Sequence, residues 1–290
     1  MIHRFYKNGQ KLDVAGLNQI IVLIDRSETE LTEIGLNEWK PRLDGPPHKH
    51  NDKDQVFYIT SGEGIIKLGS ESYQAKPGCL AYVPAGLVHQ TITTGDEPLC
   101  YMLFNAFNNP DKEGHQSFAD HIEKVKEIRR AQAESGKEDV DNTGVDFEIK
   151  PPKFFPDIYE GKKFDFGSNT SLLLLDRKET NRCELTLVSW PAGNKGALVA
   201  HKEKEQTFFV LEGNGKVTVG AETEEVKPGD VIFVPRNTPH TTEAGNSVLS
   251  YLCFNTLNGE VKDESFENMY NRVSTGRIQR WKTGNNEVGE

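Results

Sequence analysis

The chain of 290 residues matches itself. At one offset, Asp25-Arg26 falls on Asp176-Arg177, Trp39 on Trp190, Gly45 on Gly196, His50 on His201 and Gln55 on Gln206. Gly62, Gly64, Pro77, Gly78, Pro84 and His89 likewise meet Gly213, Gly215, Pro228, Gly229, Pro235 and His240. One residue is then lost, and Phe104-Asn105 pairs with Phe254-Asn255. So many coincidences in one register predict two copies of one domain. Each half is long enough to bury a core of its own.

Each copy reads as strands. Gln19–Asp25, Gly64–Leu68, Leu80–Val83, Leu99–Phe104 and Leu172–Asp176 are short apolar runs, several of them bounded by Gly or Pro, as an all-β domain requires. The Pro-Gly pairs at 77 and 228 predict tight turns, and many short strands argue against alternating βαβ units. A helix is expected after each set of strands. Ser117 precedes Phe118, Ile122 and Val125 at helical spacing, and Ser265 precedes Phe266, Tyr270 and Val273. The first three apolar side chains are expected to pack on the barrel wall. Gln132–Gly144, polar and charged, reads as a mobile linker, and Trp281–Glu290 as a loose tail. The expected domains are 1–116, a helix and linker over 117–150, a second set of strands over 151–260, and a helix and tail over 261–290.

Within the first copy, His48 and His50 sit two apart, so an extended strand points both rings to one face. Gln55 follows at the start of an apolar run, and His89 closes a later run behind Val83-Pro84-Ala85-Gly86. Three imidazoles and one amide oxygen can converge on a single divalent cation. His3, His115 and His121 have no such spacing and are read as locally hydrogen-bonded. In the second copy Val199 stands where His48 does, leaving His201, Gln206 and His240 as a weaker set that water or Glu203 would have to complete.

These two stretches resemble the paired signature motifs of the cupin superfamily, G-x-x-H-x-H-x4-(E/Q)-x6-G and P-G-x5-P-x-G-x2-H. The resemblance implies two tandem jelly-roll barrels, each followed by a short helix, with a metal ion in the mouth of the first. Glutamate is commoner than glutamine at the position of Gln55. A neutral amide leaves the ion its full charge, which favours Lewis acidity over higher oxidation states, and removes one candidate base. Zn, Ni, Fe, Co and Mn all suit three imidazoles and an amide. The spacing also resembles that of the small cupins that linearise unsaturated uronates, which implies His48, His50, Gln55 and His89 as ligands and a sugar acid or keto compound as substrate. The late-strand carboxylate of that group has no counterpart in Leu99–Phe107. Tyr82, Tyr101 and Asn105 are the candidate pocket residues able to orient a carbonyl or hydroxyl.

The net charge of −10, with no offsetting Lys/Arg cluster, argues against nucleic acid or an anionic membrane as partner. The chain has no apolar run near the roughly 18 residues of a spanning helix and no signal-peptide core at Met1–Lys7. Its four scattered cysteines read as free thiols, and a cytoplasmic homodimer is expected. The expected activity is an isomerase, lyase or hydrolytic step on a small sugar-acid-like or keto/hydroxy substrate. A quercetinase-like dioxygenase and a non-catalytic binding cupin are the alternatives.

Overall fold

The structure is a computed structural model that describes residues 1–135, 144–259 and 264–290. Its strands are β1 (Ile2–Phe5), β2 (Gln10–Val14), β3 (Asn18–Ile24), β4 (Thr32–Trp39), β5 (Lys53–Ser61), β6 (Gly64–Leu68), β7 (Glu71–Ala75), β8 (Leu80–Val83), β9 (His89–Thr93) and β10 (Leu99–Phe107). After helix α1 (Phe118–Ser135) come β11 (Lys153–Phe155), β12 (Lys162–Asp165), β13 (Thr170–Leu175), β14 (Cys183–Trp190) and β15 (Lys204–Glu212). Then follow β16 (Gly215–Val219), β17 (Glu222–Val226), β18 (Asp230–Val234), β19 (His240–Ala244), β20 (Leu249–Leu257) and helix α2 (Phe266–Thr283).

Two compact units result. In the first, a seven-stranded sheet in the order β11-β8-β5-β10-β4-β3-β2 and a three-stranded sheet β7-β6-β9 enclose one core. Trp39, Phe57, Ile59, Ile66, Tyr101 and Leu103 fill it, and each fully buried apolar side chain contributes about 1.5–3 kcal/mol. The second unit repeats this with β1-β18-β15-β20-β14-β13-β12 and β17-β16-β19. All strand pairs are antiparallel, as expected for an all-β pair of barrels.

The boundaries differ from those expected. The units are Lys7–Ile158, and Met1–Tyr6 together with Tyr159–Glu290. Strand pairing is the reason: β11 adds to β8 (Phe154 opposite Ala81), while β1 adds to β18 (His3 opposite Ile232). A strand that would otherwise leave its N–H and C=O groups unpaired goes where an open edge accepts them.

Both helices run further than the sequence pattern predicts, to Ser135 and Thr283. Ser117 and Ser265 accept the N–H groups of Asp120 and Asn268, as expected of N-caps. The helices are also tied to their barrels, because Phe118 N–H donates to Asp25 (3.0 Å) and Phe266 N–H to Asp176 (3.2 Å). That gives the repeated Asp-Arg pair its first half of a purpose. Of the predicted mobile linker, 136–143 lie outside the described residues. The tail is not loose: Ala200 N–H donates to Gly289 (2.8 Å), and Gly289 N–H to Leu198 (3.1 Å).

Glycine is required where the chain enters β6 and β16. Gly62 and Gly213 have φ of 78° and 76°, and a Cβ would lie 2.2 Å from the Pro98 carbonyl oxygen or 1.8 Å from that of Val248. Among the described residues no helix is long and apolar enough to cross a membrane, and all four cysteines are buried and form no disulfide.

Candidate metal centre

His48 and His89 are brought together by backbone pairing rather than by their side chains. Each donates its N–H to the other's carbonyl (3.0 and 2.8 Å), forming a single bridge at the first residue of β9. Their ring centroids are 4.3 Å apart, and His50 lies 5.2 Å from His48 and 5.6 Å from His89. The ligand nitrogens of the three rings lie within 4.8 Å of one another. Among the described residues they are the one group of three such side chains this close.

The tautomers follow from local contacts. Nδ1 of His48 lies 3.1 Å from the Pro46 carbonyl, and Nδ1 of His89 lies 3.1 Å from that of Leu87. A carbonyl only accepts, so both rings carry their proton on Nδ1 and keep the Nε2 lone pair. Nε2 of His89 is buried without a hydrogen-bond partner. Burial, the field of Lys53 and the neighbouring rings hold His50 well below the usual histidine range; burial and His89 do the same for His48. His89 is lowered to about 4, chiefly by burial.

Gln55 lines the same cavity, and the sheet register sets its hydrogen bonds. In the row across β4, β10 and β5, Glu33 stands opposite Asn105 and Asn105 opposite Gln55. Arg26 Nε donates to Glu33 (2.6 Å), Asn105 Nδ2 donates to the other oxygen of Glu33 (2.7 Å), and Gln55 Nε2 donates to Asn105 Oδ1 (2.9 Å). One N–H of the amide is thereby committed to its neighbour in the sheet. Oε1 of Gln55 is left buried with no partner, and a buried carbonyl oxygen in that state costs stability unless something electropositive meets it. Three imidazole nitrogens and an orphaned amide oxygen around one cavity are a donor set that fits a divalent transition metal.

Of the other pocket candidates, Asn105 and Tyr101 line the cavity and Tyr82 does not. Ala81 and Val83 face the barrel core, so the intervening Tyr82 is on the opposite face of β8. Tyr101 is engaged: its hydroxyl accepts from Asn37 (3.0 Å) and Trp39 (2.9 Å) and lies 3.3 Å from Thr91. Burial raises its pKa, and the same Tyr–Trp–Thr contact recurs as Tyr251, Trp190 and Thr242. It is a strut of the core.

The cavity, about 210 Å³, is also lined by groups that sequence reasoning missed or dismissed: Glu33, Lys53, His121 and Arg129. His121, read as locally bonded, instead stands on α1 with its ring 6.2 Å from that of His50 and its Nδ1 buried without a partner. Glu33 and Lys53 had a signal, since both recur at the repeat offset as Glu184 and Lys204.

The second barrel repeats the relay. Arg177 donates to Glu184 (2.6 Å), Asn255 to Glu184 (2.9 Å) and Gln206 to Asn255 (2.8 Å), and Gln206 Oε1 is again orphaned. Burial pushes the Glu184 carboxyl up, but Arg177 and Lys204 outweigh it and leave it below the usual carboxylate range. Val199 pairs with His240 as His48 pairs with His89 but brings no ligand atom. The rings of His201 and His240 are 5.3 Å apart, and Glu203, 4% exposed, reaches to 3.9 Å from His201. The cavity is smaller, about 80 Å³, and Glu290 is part of its wall.

Comparison with known proteins agrees with this architecture. A family model described as Cupin domain matches residues 35–105 and 186–255. An uncharacterised protein of Methanocaldococcus jannaschii is 44% identical over 64 residues, covering 22% of this chain and 51% of that protein; the match thus spans about half of that relative's length. Quercetin 2,3-dioxygenase of Bacillus subtilis is 23% identical over 239 residues, covering 74% of this chain and 70% of the relative. A structure of Bacillus subtilis oxalate decarboxylase, described by its Mn(II) centres, superposes with a TM-score of 0.60 at 16% identity, covering 88% of this chain and 76% of that one. The two matched regions each hold a repeat of the His–Gln–His framework, and the chain has the fold of two tandem cupin barrels.

Proposed function

We propose that the protein is a metal-dependent enzyme whose first barrel holds one divalent transition metal through His48, His50, His89 and Oε1 of Gln55. Bound there, the ion supplies Lewis acidity toward a carbonyl or hydroxyl oxygen. The substrate is a small sugar-acid-like or keto/hydroxy compound, and the step an isomerisation, elimination or hydrolysis. The observation that carries this reading is the orphaned oxygen of Gln55, a residue of the cavity wall whose amide is held by a relay that ends in a buried arginine. A side chain held so firmly in an unfavourable state is expected where a ligand satisfies it.

The remaining residues prepare the site. Proton placement on Nδ1 of His48 and His89 leaves both rings ready to ligate. Phe118, Ile122 and Val125 of α1 give the cavity an apolar wall, and apolar surroundings strengthen electrostatic contacts. His121 and Arg129 are the titratable groups of α1 placed in the same cavity.

Metal analysis of protein purified without added metal tests the base of the proposal. About one equivalent of a divalent transition metal per chain is expected, lost on His89→Ala. No metal and no uptake on titration would defeat it. A second reading, a dioxygenase, is favoured by the quercetin 2,3-dioxygenase relative. Turnover that stops when oxygen is removed supports that reading over the first.

A further inference from the structure

The cavity above the three histidines is more positive than its surroundings account for. Lys49, Lys53 and Arg129 line it, and among the lining residues Glu33 is the one carboxylate. Glu33 is already committed to Arg26. Cations therefore outnumber free carboxylates here in a protein whose net charge is −10. The second cavity is different: Lys204 and Arg277 share its wall with Glu203 and Glu290.

Arg129 is placed with care. On α1 it stands at the position that Arg277 holds on α2, since Phe118, Val125 and Arg129 run in step with Phe266, Val273 and Arg277. Nη1 of Arg129 donates to the Val14 carbonyl and to Asn18 Oδ1, both at 3.2 Å. The guanidinium lies 5.9 Å from the Trp39 ring centroid. Its remaining N–H groups have no partner among the described residues. Burial lowers its pKa, as expected of a cation short of both water and counter-charge, and its field is felt at His48. An anchored guanidinium with open donors recognises a planar, bidentate anion. The same cavity wall includes Ile20, Phe57, Leu103 and Val125, whose side chains offer no hydrogen bonds.

We propose that Arg129 is the specificity-determining residue of the first barrel and binds a carboxylate of the substrate, remote from the oxygen atoms that meet the histidine cluster. The substrate is then an acid with oxygen donors at one end, a carboxylate at the other and a short, weakly polar span between. The proposal rests on the metal-centre reading for the first end only.

The test uses the full chain loaded with Co(II) and two probe pairs of matched length, 2-oxoglutarate against 2-oxovalerate and 2-oxoadipate against 2-oxohexanoate. Calorimetry gives the affinities, and the Co(II) absorption band reports the ligand field separately. In at least one pair the terminal carboxylate is expected to strengthen binding about tenfold or more, worth about 1.4 kcal/mol. Arg129→Gln should bring the pair within about twofold while Arg129→Lys keeps part of the preference. Unchanged Co(II) stoichiometry shows that both variants are folded at the site. No preference in the wild type, or a preference that survives Arg129→Gln, overturns the proposal. Failure of Co(II) uptake counts against the metal reading alone, because the same pairs on the metal-free chain still report whether Arg129 selects the carboxylate.

Discussion

Gln55 differs from glutamate by one NH2 group, and the row of side chains behind it makes that group necessary. Arg26 can only donate, so Glu33 must accept, Asn105 must turn its NH2 toward Glu33, and its oxygen is left facing Gln55. A carboxylate at position 55 would meet that oxygen with another acceptor. Flipping Asn105 merely moves the conflict to Glu33. Gln55→Glu is therefore expected to destabilise the metal-free protein by about 1–3 kcal/mol, the cost of one buried group left unsatisfied, read as a lower midpoint in urea. An unchanged midpoint would show that the relay does not set the polarity. The histidines make a second residue-scale prediction. A buried ring whose pKa falls from 6.5 to about 4, as for His89 and His240, stays neutral in the folded chain while its unfolded counterpart takes up a proton. Stability of the metal-free protein is thus level above pH 6.5 and falls progressively between 6.5 and about 4. Denaturant midpoints measured across that window check the sign, and a maximum below pH 6 would contradict it. Most of this site was legible beforehand, because His48, His50, Gln55 and His89 carry a spacing that survives in one dimension. The roles of Arg26 and Glu33 were not, although both recur at the repeat offset, because sheet register fixes their partners and leaves no local pattern; Arg129, placed by helix α1, was not either.

At the scale of elements, the two barrels differ by one histidine on an irregular stretch. Val199 has the backbone contacts of His48: its N–H donates to the His240 carbonyl (3.1 Å), and its carbonyl accepts from the His240 N–H (2.8 Å). Its side chain is 3% exposed and lines the second cavity. Val199→His should therefore place a third imidazole beside His201 and His240 and raise Co(II) uptake from one equivalent to two. Persistence at one equivalent would mean that the smaller cavity, walled in part by Glu290, has no room for the ion. The tail matters here because Gly289 bridges to Val199, and a Cβ on Gly289 would lie 2.1 Å from the Arg280 guanidinium. Sequence reading placed the strands and the start of each helix correctly, since alternation and caps are local. It read Trp281–Glu290 as loose because two backbone hydrogen bonds to a distant segment leave no trace in composition. It placed Tyr82 in the pocket for a related reason: parity along a strand says which residues share a face, but not which face is inside.

For the whole molecule the informative feature is that strand β1 belongs to the unit that holds Tyr159–Glu290, while β11 belongs to the unit of Lys7–Ile158. Each unit is thus assembled from segments that are discontinuous in the chain or run past the expected boundary. Removing 1–6 takes from β18 its neighbour on the side away from β15. It deprives the second unit of the pairs Ile2–Phe233, His3–Ile232, Arg4–Val231 and Phe5–Asp230, and of the contact of His3 with Asp230 (3.4 Å). The first unit keeps every strand of its sheet, its helix and all four proposed ligands. The shortened chain is therefore expected to lose amide-exchange protection across β18 and β15 while Co(II) uptake by the first barrel stays at one equivalent. The loss should be confined to the second unit because each has its own core, Trp39 and Phe57 in one, Trp190 and Phe208 in the other, and units with separate cores open separately. Equal loss of protection in β5 and β10 would mean that the two units unfold as one, and that the repeat in the sequence does not mark two independent stabilities.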